Sequence, residues 1–589
     1  MNLRCINDGW SLALIRLFTR LLQFRFSLLR RVPLVVLGEF LVPLIVQAGT
    51  APDKPVGAAE YSSQVVREVG GHRFVWVFTC DGADCLVGKF VGGDYWIAPK
   101  KPGEQIVLQS VVPGGGEHGL EINPVSATKQ GFLSCQQHSY DSKLNLMTSL
   151  PLNVRVNSSL VKARKRNASC GTKVTEGCCV DSYDVLTVLA APPADNGRSA
   201  FRPGFAGEEK LIYYLDQFDF TVIPTLKAIS FKYRIDFKQI HARWHAPYVD
   251  HYMYKIGDAG RAFAPMAVIP DYGATQAASY LGDLLSVMGD TPLESKMPGL
   301  TGLLQRGIDL HASWKQGINW PSGAGQQMGR KPPIAFFATL IKDEKIKHDV
   351  IRMSENNRNE TQEDGQVRLI DQIAGGGGIP VWGDSGGQCG EDNYWAQLFA
   401  AQHYDGGSGI PIRGGDNMRT CGDPYGWIDG PAGTPGSEYM ACCSTGGFIA
   451  YSLAQNLMPA LCRVANDNDL NVYVNRVVRN GLHTKPDPCA PPDARESKEC
   501  RPYAKGAPNC LYYRNTWGPD PHRLGMCIRN GTNGTQQFGR FPHLHGKTLE
   551  KIHNEPEISR HLRTLFGATV FDKCAKIKNP KGDVLGRLW

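Results

Sequence analysis

The chain has 589 residues, 42% of them hydrophobic and 9% aromatic, with a formal net charge of +8. That length exceeds one core, so two or three domains are expected, and the composition excludes wholesale disorder. The charge gives no support to nucleic-acid binding. Six arginines against Asp8 and Glu39 place +4 of it within residues 1–48, and what remains is an ordinary solvated surface.

The first segment reads as a leader. Arginines ending in Arg30-Arg31 precede an apolar run from Val32 to Val46, broken by Glu39, and then the small residues Ala48, Gly49, Thr50 and Ala51. This is the grammar of a secretory signal, and the run is short for a membrane span. Residues 1–48 are therefore expected to be a signal peptide, with an uncleaved anchor as the alternative; the mature protein is expected to be secreted and without membrane attachment. Of 17 cysteines only Cys5 lies in the leader. The other 16 are even in number, and twelve of them cluster as Cys80/Cys85, Cys178-Cys179, Cys389/Cys421, Cys442-Cys443 and Cys489/Cys500/Cys510/Cys527, which predicts disulfides in an oxidising compartment. Zinc knuckles of CxxC spacing are absent. Sequons at Asn157, Asn167, Asn359, Asn530 and Asn533 agree with a secretory route.

Residues 60–240 predict a β-sandwich-like domain. Phe74–Phe78, Ile106–Val112 and Val185–Leu189 are short apolar runs between turn residues, with a disulfide-sized loop at Cys80–Cys85. Pro192–Gly207 is too rich in turn residues for an element. From Asp271 the period becomes helical: Ala277, Leu281, Leu284, Leu285 and Met288 share one face, and Leu300, Leu303, Leu304, His311 and Trp314 another. Pro332-Pro333 opens an almost wholly apolar helix, Ile334–Ile341, and Asp392–His403 and Thr445–Met458 follow. The expected fold is α+β and multidomain, with an α/α, toroid-like helical domain over 241–488 and a Cys/Pro-rich extension over 489–589.

Several segments are candidates for chemistry. Trp320–Lys331 (WPSGAGQQMGRK) ends at a helix start, where unpaired N–H groups beside Arg330 and Lys331 suit a sugar carboxylate and Trp320 suits stacking; a solvated basic pair is the plainer reading. Gly390–Trp395 opens a helix with Asp392 as N-cap, followed by Asn393, Tyr394 and Trp395. An amide and a phenol there fit proton abstraction and charge stabilisation, although Tyr394 and Trp395 also suit a core. In Cys421–Gly436, Asp423, Tyr425, Trp427 and Asp429 fit a sugar subsite, a structural loop or a structural calcium, for which more regularly spaced oxygens are needed. No other cofactor is expected. The string Gly383–Gly387 (GDSGG) lacks the upstream histidine setting of a serine protease. His241, His245 and His251 lack HExxH spacing and read as structural or substrate-facing. Tyr272 is a further phenol at a helix start.

The segment Glu391–Trp395 (EDNYW) resembles the NNHxYW-type segment of alginate-lyase relatives among secreted polysaccharide lyases with an α/α toroid. The resemblance implies a base, here Tyr394 or Tyr272 because the histidine is absent, with Asn393 neutralising a uronate. Phe90–Pro99, Asn123–Phe132, Pro192–Gly207 and Gly329–Ala338 are similar to segments of uncharacterised secreted bacterial proteins, which implies a shared architecture but brings no known activity with it. The expected function is an extracellular lyase cleaving an acidic polysaccharide by β-elimination, with Arg330 and Lys331 on the carboxylate. A glycoside hydrolase using Asp392 with Asp423 or Glu438 is the rival enzyme. A non-catalytic protein that binds glycan through Trp320, Trp395 and Trp427 is the rival class.

Overall fold

The computed structural model describes residues 59–134, 139–166, 180–247, 249, 265, 267–270, 272–321, 325–356, 360–370, 379–382, 444–480, 500–502, 510–513, 517–519, 527–529, 552 and 554–575. The expected leader, the GDSGG string, His251 and most of the expected extension lie outside these residues. Among the described residues no helix is long and apolar enough to cross a membrane.

The described chain is α+β. Ten strands come first: β1 (Glu60–Ser62), β2 (Gln64–Val69), β3 (His72–Cys80), β4 (Cys85–Lys89), β5 (Tyr95–Ala98), β6 (Ile106–Val112), β7 (Leu120–Ile122), β8 (Leu152–Val154), β9 (Ser158–Lys165) and β10 (Val180–Val188). They form a six-stranded sheet ordered β1-β4-β5-β10-β9-β7 and a four-stranded sheet ordered β2-β3-β6-β8. Every pairing is antiparallel except β5 with β10. Along β3, Phe74, Trp76, Phe78 and Cys80 are buried in alternation with partly exposed neighbours, as the two-residue period of a one-faced strand requires. Trp76, Phe78, Ile106 and Leu108 of one sheet share a core with Val87, Ile97, Leu160 and Leu186 of the other. Strands β9 and β10 are buried on both faces, because Phe132, Leu133, Phe205 and Ala206 cover the second one. Cys80 and Cys85 are disulfide-bonded across the loop between β3 and β4.

Helices follow: α1 (Lys227–Lys232), α2 (Phe237–His245), α3 (Gly273–Ser286), α4 (Leu293–Lys315), α5 (Lys331–Leu340), α6 (Glu344–Asn356), α7 (Gln362–Gly365), α8 (Thr445–Leu457), α9 (Pro459–Ala465), α10 (Asn468–Asn480) and α11 (Glu557–Phe566). Pro332 and Pro333 stand at the start of α5, where a missing N–H breaks no helical bond, and all ten of its residues are buried. Helix α4 passes close over α2: a Cβ on Gly302 would lie 2.8 Å from His241 Cα, so only glycine permits this crossing. The helical core draws on both sides of the expected 241–488 range. Phe201, Phe218 and Ile229 join it from before, and Ile558, Leu562 and Phe571 from after. A Cys462–Cys574 disulfide ties that last segment to α9.

Strands and helices meet over a buried ionic network. Arg67 on β2 donates to Asp94 and to Asp184, the latter at 2.7 Å, while the Trp76 indole N–H donates to Asp184 at 2.6 Å. Arg202 grips Asp309 of α4 with two bonds of 2.9 and 2.6 Å, and its Nε lies 3.4 Å from Asp94. His245 of α2 pairs with Asp94 and stacks on His241, their ring centroids 4.6 Å apart. Burial alone would raise the Asp94 carboxyl, but Arg67, His245 and Arg202 hold it well below the usual range. Burial pushes His245 down to about 4.

Candidate functional site

Tyr394, Asn393, Trp395, Asp392, Asp423, Tyr425, Trp427 and Glu438 all lie outside the described residues. Of the other four expected site residues, Tyr272, Arg330 and Lys331 lie around the turn 325–330. Trp320 is buried and donates its backbone N–H to Glu360 O at 2.6 Å. Tyr272 is the N-cap residue of α3 and packs partly buried against the helical core. Its neighbour Gly273 abuts the carbonyls of Gly325 and Gln326, so the 325–330 turn sits on the start of α3. Gly329, at φ +86°, presses on Ala277, where any side chain would be both strained and crowded.

Arg330 and Lys331 do start a helix, but neither faces solvent. Arg330 is wholly buried, and its guanidinium donates to the carbonyls of Gln326 and Met328. Lys331 is wholly buried as well; its ammonium donates to Asp364, to Asp467 and, at 2.7 Å, to Ser354 Oγ. The cations proposed for an external carboxylate are thus committed to internal acceptors. Isolated buried ammonium groups are costly, and two carboxylates plus a hydroxyl satisfy all three of its donors.

What they organise is an acidic cleft of about 290 Å³, lined by Ser354, Glu363, Asp364, Val367, Asn466, Asp467, Asn468, Asp469 and Leu470. Each wall has a local cause. Thr361 caps α7: its Oγ1 accepts from the Asp364 N–H at 3.3 Å and donates to Asp364 Oδ2 at 2.6 Å. Gln327 and Gly329 donate their N–H groups to Gln362 Oε1 and Glu363 Oε1 at 2.7 and 2.6 Å, pinning α7 to the turn before α5. Asn466 ends α9 in the left-handed conformation at φ 53°, which turns the chain directly into α10. Asp467, at that corner, accepts from the Gln455 side chain of α8 at 3.0 Å.

The acids differ in their environment. Glu363 is 2% exposed and is pushed up to about 7 by burial, with the Asp364 charge adding to it. Its Oε2 has no hydrogen-bond partner among the described residues. Asp467 is also raised to about 7, by burial and by Asp364, against the pull of Lys331. Burial would lower Lys331, but Asp364 and Asp467 outweigh it and keep the amine charged. The cleft therefore holds protons that are exchangeable near neutrality beside an ammonium that stays charged. Among the described residues no group of His, Cys, Asp and Glu could hold a metal ion.

Sequence reasoning passed over Glu363, Asp364 and Asp467. Their only local signals are the capping string Thr361–Asp364 and the Asn466–Asp469 string of alternating amides and acids. Compared with known proteins, the chain matches no family model, no curated protein and no solved structure.

Proposed function

We propose that the protein is a secreted glycan-active enzyme, with its helices arranged as an α/α toroid, that hydrolyses glycosidic bonds with paired carboxyl groups. The observation that carries this reading is Glu363: a carboxyl raised to about 7, with one oxygen unpartnered among the described residues, in the same cleft as Asp364 and Asp467. An acid of that kind can be protonated at neutral pH and give its proton to a leaving glycosidic oxygen. The carboxyl group of Asp364, which accepts from the Lys331 ammonium, takes the opposite part. It either removes a proton from the attacking water or bonds the anomeric carbon until water replaces it. Either way one water is consumed, the carbon–oxygen bond breaks, and the proton lost by Glu363 is restored from that water.

Release of reducing ends from a panel of polysaccharides tests the reading. Activity should fall as pH rises above about 7, where Glu363 loses its proton. A rise in absorbance near 235 nm, abolished by Tyr394→Phe, would replace hydrolysis with the β-elimination expected from the EDNYW segment. Retention on glycan columns without either product would leave a binding protein.

A further inference from the structure

Resting on the hydrolytic reading, we infer that the cleft between α7 and α10 takes an amino sugar whose nitrogen is a free ammonium, not a uronate. Four carboxyl groups line it, on Glu363, Asp364, Asp467 and Asp469, with the carboxamides of Asn466 and Asn468. The adjoining cation, Lys331, has spent its donors on Asp364, Asp467 and Ser354. Arg330, on the turn behind α7, donates to the carbonyls of Gln326 and Met328. A sugar carboxylate entering here meets acceptors and like charge. An ammonium brings three donors to these carboxyl and carboxamide oxygens, while the buried Glu363 Oε2, without a partner among the described residues, keeps its proton for the glycosidic oxygen. The volume, about 290 Å³, is of the size that holds one sugar ring, and Val367 and Leu470 offer apolar contact.

Fully deacetylated and fully N-acetylated β-1,4-glucosamine oligomers share a backbone and differ by one charge per ring, so they isolate the claim. Calorimetric titration of the purified full chain at pH 6 and low salt should give at least ~10-fold tighter binding of the deacetylated oligomer, a preference that shrinks on raising the salt. Asp469→Asn should cut that preference by ~3- to 10-fold, and Asn468→Asp, which adds a carboxylate at an exposed position, should raise it by ~2- to 5-fold. Melting curves establish that both variants fold. Equal binding of the two oligomers, or a preference that neither variant moves, overturns the inference. Reducing ends released from glycans without any amine preference would keep hydrolysis and remove the amino sugar. Amine preference without reducing ends from any glycan would do the reverse.

Discussion

Two buried ionic networks invite comparison. At the strand–helix junction Arg67 and Arg202 face Asp94, Asp184 and Asp309, and His245 adds a ring nitrogen. At the cleft Lys331 serves both Asp364 and Asp467, and Glu363 stands beside them with an oxygen unpartnered among the described residues. In the first, two forked guanidiniums nearly match the acids: Asp94 stays ionised far below its usual range, although burial outweighs the arginines at Asp184 and Asp309 and raises both. In the second, acids outnumber the cation, so burial wins and two of them come to about 7. Matched charges fix a joint; a surplus of acid leaves exchangeable protons. Stability should therefore follow the junction, and chemistry the cleft.

The sharpest way to break that division is a pair of substitutions with opposite signatures. Glu363→Gln keeps the acceptor for Gly329 but has no proton to give, and should lower the rate of reducing-end release by ~10²- to 10⁴-fold. It should not destabilise the fold. Because the folded-state value of Glu363 is raised, its favourable contribution is complete below about 4.5 and lost as pH rises through about 7. The glutamine variant should then be more stable than the parent at pH 8, by up to ~3 kcal/mol in urea titrations. Asp309→Ala should do the converse. It removes the two-bond carboxylate partner of the buried Arg202 and should destabilise by ~3–5 kcal/mol, while the folded fraction at low temperature keeps its activity. A stable Asp309→Ala protein, or an unstable and active Glu363→Gln protein, would collapse the distinction.

The two networks should also fail at opposite ends of the pH scale. His245 is depressed from 6.5 to about 4, so the unfolded chain takes up a proton before the folded one does. Its contribution is complete above about 6.5 and is lost as pH falls towards 4, on the order of 3 kcal/mol. In His245→Gln the loss of stability over that interval should flatten, as read from melting temperatures at stepped pH. An unchanged acid slope would remove His245 from the junction's acid sensitivity.

How much of this was legible in the sequence depends on the range of each interaction. The runs Phe74–Phe78 and Ile106–Val112, the faces through Ala277 and Leu300, and the apolar helix after Pro332-Pro333 are local patterns, and each lies in an element of the expected type. Helix α4 runs longer than its pattern shows and continues through an internal Pro298. The placement of Arg330 and Lys331 at a helix start was readable too. Their destination was not: Asp364 and Asp467 lie 33 and 136 residues further along, and nothing local marks them as partners. A cation at a helix start looks the same in sequence whether its carboxylate is a ligand or another part of the chain. Burial decides between them, and burial is a tertiary property. The same holds for Arg202, which lies in the turn-rich Pro192–Gly207 segment and is wholly buried on Asp309.

The smallest effect tests whether the cleft is held by its own local grammar. Thr361 is the one side chain that both caps α7 and binds Asp364, so it links a helix end to the charge arrangement beside Lys331. Thr361→Ala should cost about 1 kcal/mol, the usual worth of an N-cap, and Thr361→Ser should restore most of it. If the cap also fixes Asp364 for chemistry, the alanine variant should lose several-fold in kcat with little change in KM, since a misplaced carboxylate is felt in the transition state more than in binding. Serine should recover rate and stability together. Loss of stability with unchanged kcat would mean that Lys331 alone positions Asp364, and the cleft would then resemble the junction more closely, held by ion pairing across the fold rather than by the helix end it sits on.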